Sequence, residues 1–163
     1  MKKICIISDS HSYLDNKIIN YIKKCDEVWH AGDIGEISVC DNIKNHSFLR
    51  AVYGNIDNHL IRVEYPEFVF FTCEGLKILM THIGGYPGKY TKKAIELIKK
   101  YNPNVFICGH SHILKIINDK KFNLIHINPG AIGNHGFHHV RTMIILKIDK
   151  KKIFDLNVIE FTR

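Results

Sequence analysis

The chain has 163 residues, 45% hydrophobic and 24% charged, with a formal net charge of +7. That is the composition of an ordinary globular protein, and the length suits one domain over residues 1–163, burying roughly 70% of its unfolded surface. Membrane and secreted classes are excluded as expectations: no run approaches ~18 apolar residues, and the apolar stretch after Lys2-Lys3 is too short for a signal peptide.

Ile4–Ser8 is a continuous apolar run and reads as a buried strand. Asp15–Cys25 carries Ile18, Ile19, Tyr21 and Ile22 at helical spacing, with Asp15 as N-cap. Glu27–Ala31 reads as a second strand, Ile37–Lys44 as a short helix and Phe48–Tyr53 as a third strand. This β-α-β-α-β order predicts a parallel sheet. Glu67–Cys73 and Leu76–Thr81 form a hairpin across Glu74-Gly75. Tyr90–Tyr101 is an amphipathic helix ended by Asn102-Pro103, and Val105–Cys108 is another buried strand. Leu114–Asn118, Leu124–Asn128, Thr142–Ile148 and Lys152–Phe161 read as mostly antiparallel strands, with turns at Asp119–Lys121 and Asp149–Lys151. Two packed mixed sheets with helices outside satisfy both halves of this α/β pattern.

The five cysteines show no CxxC spacing and are odd in number. They read as buried reduced thiols in a cytoplasmic protein. The lysines are scattered, and no basic stripe alternates with aromatics, so nucleic acid is not the expected partner. A positive field still suits a phosphate substrate.

Five polar clusters each follow a strand-like run: Asp9-Ser10-His11, Gly32-Asp33, Gly54-Asn55-Ile56-Asp57, Thr81-His82 and Gly109-His110-Ser111-His112. Taken singly, Asp9-x-His11 is also a capped turn with a surface histidine, and Gly32-Asp33 and Gly54-Asn55 are also simple turns. Together they offer the oxygen and nitrogen ligands of a divalent metal. Strand ends on one sheet edge are where α/β folds build sites. Seven ligands are too many for one ion and suit two ions sharing a carboxylate.

In these motifs the chain resembles the calcineurin-like metallophosphoesterases, and its small size and Gly54-Asn55-x-Asp57 form resemble their bacterial YfcE-like branch. The likeness extends to Asn128-Pro129-Gly130. It implies a four-layer α-β-β-α sandwich. It also implies that Asp9, His11, Asp33 and His112 hold one ion and that Asp33, Asn55, His82 and His110 hold the other. Asp33 bridges. Manganese is the first expectation, with iron, zinc or nickel also suited to the mixed ligand set.

The chain departs from the wider family at three places. Ile56 stands where many members carry a histidine that serves the leaving group. Ile83-Gly84-Gly85 replaces a Gly and second His after His82, and Ala131 replaces a common Ser. Asp57 then becomes the candidate general acid or a partner that orients a ligand, beside Asn55 and His82 as catalytic candidates. His135, His138 and His139 form a second histidine cluster that reads equally as substrate contact or exposed loop. Tyr86, Lys89 and Tyr90 are pocket candidates, with Tyr90 equally a core residue. Trp29 reads as core and His30 as structural; Arg141 is a phosphate-binding candidate, but a lone Arg at a strand start reads as solvated.

The resulting expectation is a dinuclear phosphoesterase that cleaves phosphodiesters by attack of a metal-activated hydroxide. Its substrate is a small phosphorylated compound, with nucleotides and cyclic nucleotides included. Self-association is left open. A phosphomonoesterase and a non-catalytic scaffold of the same fold, like the retromer subunit, are the alternatives.

Overall fold

The computed structural model describes residues 1–163. Its strands are β1 (Lys2–Ile7), β2 (Glu27–His30), β3 (Phe48–Ala51), β4 (Phe68–Cys73), β5 (Leu76–Thr81), β6 (Val105–Ile107), β7 (Leu114–Asp119), β8 (Leu124–Pro129), β9 (Val140–Asp149) and β10 (Lys152–Thr162). Its helices are α1 (Asn16–Ile22), α2 (Ile37–Lys44), α3 (His59–Glu64) and α4 (Lys92–Tyr101). One sheet runs β10-β9-β1-β2-β3 and the other β4-β5-β6-β8-β7. β1, β2 and β3 are parallel, as expected from their connections.

Strand periodicity explains the layering. Along β1, Ile4 and Ile6 face the second sheet and pack with Ile78, Met80, Val105 and Ile127. Cys5 and Ile7 point the other way, against Ile18 and Ile22 of α1 and Val39 and Ile43 of α2. A strand buried on both faces has no polar side to alternate, hence the unbroken apolar run. On the far side, Ala94, Leu97 and Ile98 of α4 cover Leu79, Phe106 and Leu124. The result is the expected four-layer α-β-β-α sandwich.

Local chemistry sets the ends of these elements. Asp15 caps α1 by accepting from the Ile18 N–H, and Asn102 ends α4 in the left-handed region. The β9–β10 hairpin closes through Lys150 and Lys151 at φ of 46° and 63°, the sign a two-residue hairpin turn requires. All five cysteines are buried and unpaired. Trp29 is in the core between the sheets, and Tyr90 packs beneath α4.

Three features differ from expectation. Helix α3 lacks a periodic apolar stripe, because Ile61 is its only buried residue; its one local signal is the Asn58 cap. The tail is antiparallel except where β8 runs parallel to β6. Arg141 is buried rather than solvated: its guanidinium donates to the Thr162 and Ile132 carbonyls and to Asp15. Its acceptors come from distant parts of the chain, so its own neighbourhood in sequence carries no hint of them.

His30 is structural, as read. Ser10 Oγ spends its proton on the Ile34 carbonyl, so His30 Nε2–H must donate to Ser10 Oγ at 2.8 Å. His30 Nδ1 then accepts from the Gly32 N–H. Both ring nitrogens are committed in the neutral form, and full burial lowers its pKa to about 4. Burial also lowers the pKa of His126 to about 4. In the unfolded chain both take up protons below their ordinary value near 6.5. Folding stability contributed by these two rings is therefore complete above pH 6.5 and is lost as pH falls towards 4, by roughly 3 kcal/mol per ring at the limit. The metal-free protein should melt at a lower temperature at pH 5 than at pH 7 in calorimetry. His126→Gln should flatten that slope, and an unchanged slope would remove His126 from the account.

Candidate metal centre

Each expected ligand sits just beyond a strand. Asp9 and His11 follow β1, Asp33 follows β2, Asn55 follows β3, His82 follows β5, and His110 and His112 follow β6. The parallel runs β1-β2-β3 and β5-β6 bring these ends to one edge. The structure gathers all seven residues there.

The turns that hold them are unusual. Asp9, His11, Asp33, His110 and His112 have φ of 54°, 44°, 53°, 71° and 60°. Left-handed backbone in non-glycine residues costs about 1–3 kcal/mol each and persists where the surroundings over-determine it. Two glycines make the close approach feasible. A Cβ on Gly32, itself at φ 99°, would lie 2.7 Å from His82 Nδ1; one on Gly54 would lie 2.1 Å from Asp33 Oδ1.

The ligand atoms fall into two groups, Asp9-His11-His112 and Asp33-His82-His110, each within 4.8 Å of one another. Asp33 joins them. Its Oδ2 lies 3.5 Å from His11 Nε2 and its Oδ1 lies 3.2 Å from His82 Nε2. Asn55 Oδ1 faces His82 Nε2 at 3.0 Å and His110 Nδ1 at 3.1 Å.

The hydrogen bonding fits bound cations. His82 Nδ1–H donates to the Ala31 carbonyl at 2.8 Å, leaving Nε2 as a lone pair aimed at the oxygens of Asp33 and Asn55. Lone pairs facing one another need a proton or a metal between them. Asp9 Oδ2 accepts from Ser8 Oγ at 2.6 Å and from the His110 N–H at 3.0 Å. Its other oxygen, Oδ1, is buried without a hydrogen-bond partner, as is His11 Nε2. Tyr65 OH, Asp119 Oδ2, His126 Nε2 and His138 Nδ1 are also unpartnered, but Asp9 Oδ1 and His11 Nε2 are the two that belong to the residues gathered at this edge, and there they point to a ligand.

The electrostatics agree. Burial opposes a charge on His82, but its hydrogen bond to Asp33 and the charges of Asp9 and Asp33 raise its pKa above the ordinary value. Burial lowers the pKa of His11 despite the same carboxylates. Burial pushes Asp33 upward, yet His82 and the Ile56 N–H hold it below the usual carboxylate value. In the metal-free protein His82 thus keeps its proton to higher pH than a free histidine.

The Asp57 carboxylate does not face this centre. Ile34 N–H and Gly54 N–H donate to Oδ2 at 3.1 and 2.7 Å, and Gly35 N–H donates to Oδ1 at 2.8 Å. It is buried, and both oxygens serve the Asp33 and Asn55 loops. Of the two roles expected for Asp57, these contacts fit the orienting partner: the carboxylate is occupied as an acceptor and ties the Asp33 and Asn55 loops together.

Sequence reasoning missed several supports. Arg62 of α3 donates to the carbonyls of Asp57, Gly54 and Asn55 and lies over the Tyr53 ring. Asn128 Nδ2 donates to the Gly109 carbonyl and to Ser111 Oγ, and Tyr86 hydrogen-bonds Ser111, fixing the His110–His112 loop. The Asn128-Pro129-Gly130 motif was visible in sequence, but its target was not. Of the second histidine cluster, His135 lies against His11 with ring centroids 4.6 Å apart, and His138 binds the Gly133 carbonyl.

Strand-end acids and histidines gathered on one edge of a two-sheet α/β sandwich are the marks of a metal-dependent hydrolase. The chain belongs to the calcineurin-like phosphoesterase superfamily, whose domain model matches residues 1–151. It is 28% identical over 134 residues to a probable metallophosphoesterase of Methanocaldococcus jannaschii, covering 78% of this chain and 67% of that protein. It is 28% identical over 139 residues to a probable metallophosphoesterase of Mycoplasma pneumoniae, covering 81% and 80%. Among solved structures it is similar to wild-type Vps29 of Entamoeba histolytica complexed with zinc, at a TM-score of 0.75, 14% identity and 98% coverage of both chains. That last likeness concerns the fold alone.

Two outcomes follow. Manganese should bind more weakly as pH falls, because protons compete at His82, and the competition should begin above pH ~6.5. Calorimetric titrations at pH 8, 7 and 6, in buffers of different ionisation enthalpy, should show falling affinity and proton release on binding. Asp57→Asn should destabilise the fold by about 1–3 kcal/mol through lost amide acceptors. At saturating metal its pH–rate profile should keep the wild-type limbs; a lost limb would restore Asp57 as a proton donor.

Proposed function

We propose that the protein is a dinuclear metal-dependent phosphodiesterase. The observation that carries this reading is the Asp33 carboxylate, buried with one oxygen towards each ligand group. In this reading Asp9, His11, Asp33 and His112 hold one divalent ion, and Asp33, Asn55, His82 and His110 hold the other. Such ions, when bound, supply positive charge for phosphoryl oxygens and lower the pKa of a water nucleophile.

The chain's own residues do the rest. Asp9 and Asp33 bring two negative charges to a centre otherwise built of neutral ligands. The Ala31 carbonyl holds His82 in the tautomer that presents Nε2. Asn55 adds an oxygen without adding charge. Ile56 cannot donate a proton to a departing alkoxide, and the Asp57 carboxyl is committed elsewhere. Esters with good leaving groups should therefore be favoured, which supports aryl or cyclic phosphodiesters as substrates, cyclic nucleotides included. Mixed oxygen and nitrogen ligands suit manganese, iron, zinc or nickel better than calcium.

The test combines metal counting with turnover. Manganese should bind at two ions per chain, and Asp33→Ala should lower kcat by at least about a hundredfold. A chelator should abolish turnover, and manganese should restore it. With bis(p-nitrophenyl) phosphate and p-nitrophenyl phosphate as the pair, kcat/KM should favour the diester. One ion per chain would sink the dinuclear centre, and a monoester preference would sink the diesterase. Stoichiometric metal without turnover of either ester would favour a scaffold.

A further inference from the structure

A cavity of about 480 Å³ opens over the centre, floored by His11, Asp33, Asn55, His110 and His112. Three of its lining residues are large and apolar: Ile56, Ile113 and Phe137. They are 46%, 60% and 100% exposed, beside the acid and imidazole groups of the centre. Exposed apolar side chains grouped at a concave polar site mark a binding surface.

The wall is tied to the centre. Ile56 directly follows Asn55, and Ile113 directly follows His112. Phe137 rides on the loop that carries His135 against His11. A Cβ at Gly136 would lie 2.3 Å from His112 Nδ1, so that loop's backbone packs on a ligand ring. Arg163 donates to the carbonyls of Gly136 and His138 at 2.8 and 2.7 Å, and the Gly133 N–H donates to the Asp9 carbonyl at 3.1 Å. Phe137 is therefore held out over the cavity from an anchored loop.

A second cleft of about 370 Å³ lies on the other side of Asn55, lined by His82, Tyr53, Thr81 and Thr91 among others. Its cations are already engaged: Lys93 pairs with Glu67 at 2.6 Å and Arg62 with backbone carbonyls. Two clefts that share Asn55 leave room for the two ester arms of a diester.

Building on the diesterase reading, we infer that Ile56, Ile113 and Phe137 form the specificity wall for one ester arm, and that this arm carries a planar aromatic group. A ring stacked on Phe137 and flanked by two isoleucines removes apolar surface from water on both sides. A small alkyl arm reaches none of the three. An aryl ester and a nucleobase share this chemistry.

The test is binding of non-hydrolysable phosphonates to the manganese-loaded protein by calorimetry. Phenylphosphonate should bind at least about tenfold more tightly than methylphosphonate. Phe137→Ala and Ile113→Ala should each cut that preference by roughly threefold or more, leaving methylphosphonate affinity and metal stoichiometry unchanged. Both side chains are exposed, so folding should survive. A nucleoside 5′-phosphonate separates the sources: tighter binding than phenylphosphonate assigns a nucleobase, weaker binding an aryl group. Equal affinity of the wild type for phenyl- and methylphosphonate, or a preference untouched in the double variant, would overturn the wall. The readout is independent of turnover, so an inactive protein that prefers phenylphosphonate would overturn the diesterase and leave the wall standing.

Discussion

Two buried carboxylates, Asp9 and Asp33, set the terms for the rest of this molecule. A carboxylate taken from water must find positive charge or donors nearby, or it gives up its own charge. Asp9 finds donors for one oxygen only, and Asp33 is met chiefly by histidine rings. In the metal-free chain a proton on His82 relieves part of this, which is why its pKa is raised. Bound divalent cations would relieve more of it. The left-handed turns at five of the seven ligand positions are the backbone's share of the same cost, and the cores on both faces of each sheet offset it.

The two sheets divide the labour. The first supplies the oxygen ligands, Asp9, Asp33 and Asn55, along with His11. The second supplies His82, His110 and His112. The centre therefore lies across the interface between the sheets, and its geometry depends on the apolar layer that spaces them. Ile4, Ile6 and Trp29 on one side meet Ile78, Met80 and Ile107 on the other. Close packing of this kind leaves little slack, so the ligand atoms inherit the precision of the core.

Supports around the ligands are mostly backbone. Asp57 gathers three amide N–H groups from two loops, and Arg62 gathers three carbonyls from one of them. Asn128 and Ser111 do the same for the histidine loop. These contacts free the ligand side chains to face inward. The Ile56 loop is likewise held by its backbone, whose N–H donates to Asp33, and the Ile56 side chain is left exposed.

Much of this was legible in the chain. Buried strands announce themselves as Ile4–Ser8 and Val105–Cys108 do, and each ends at a glycine or polar cluster because the sheet ends there. The seven residues that the structure gathers at this edge could be named, since parallel strands must deliver their ends to one edge. Helix α3 was not legible, because one buried isoleucine makes no period. The burial of Arg141 and the choice between two roles for Asp57 were not legible, for a shared reason. Whether a charged side chain is solvated, catalytic or locked in place depends on which donors and acceptors surround it, and those come from residues up to 126 positions away. Local sequence determined which residue types stand at the strand ends. Only the tertiary structure decided which of them meet, because hydrogen bonds and charge pairs act over a few ångströms of space, not along the chain.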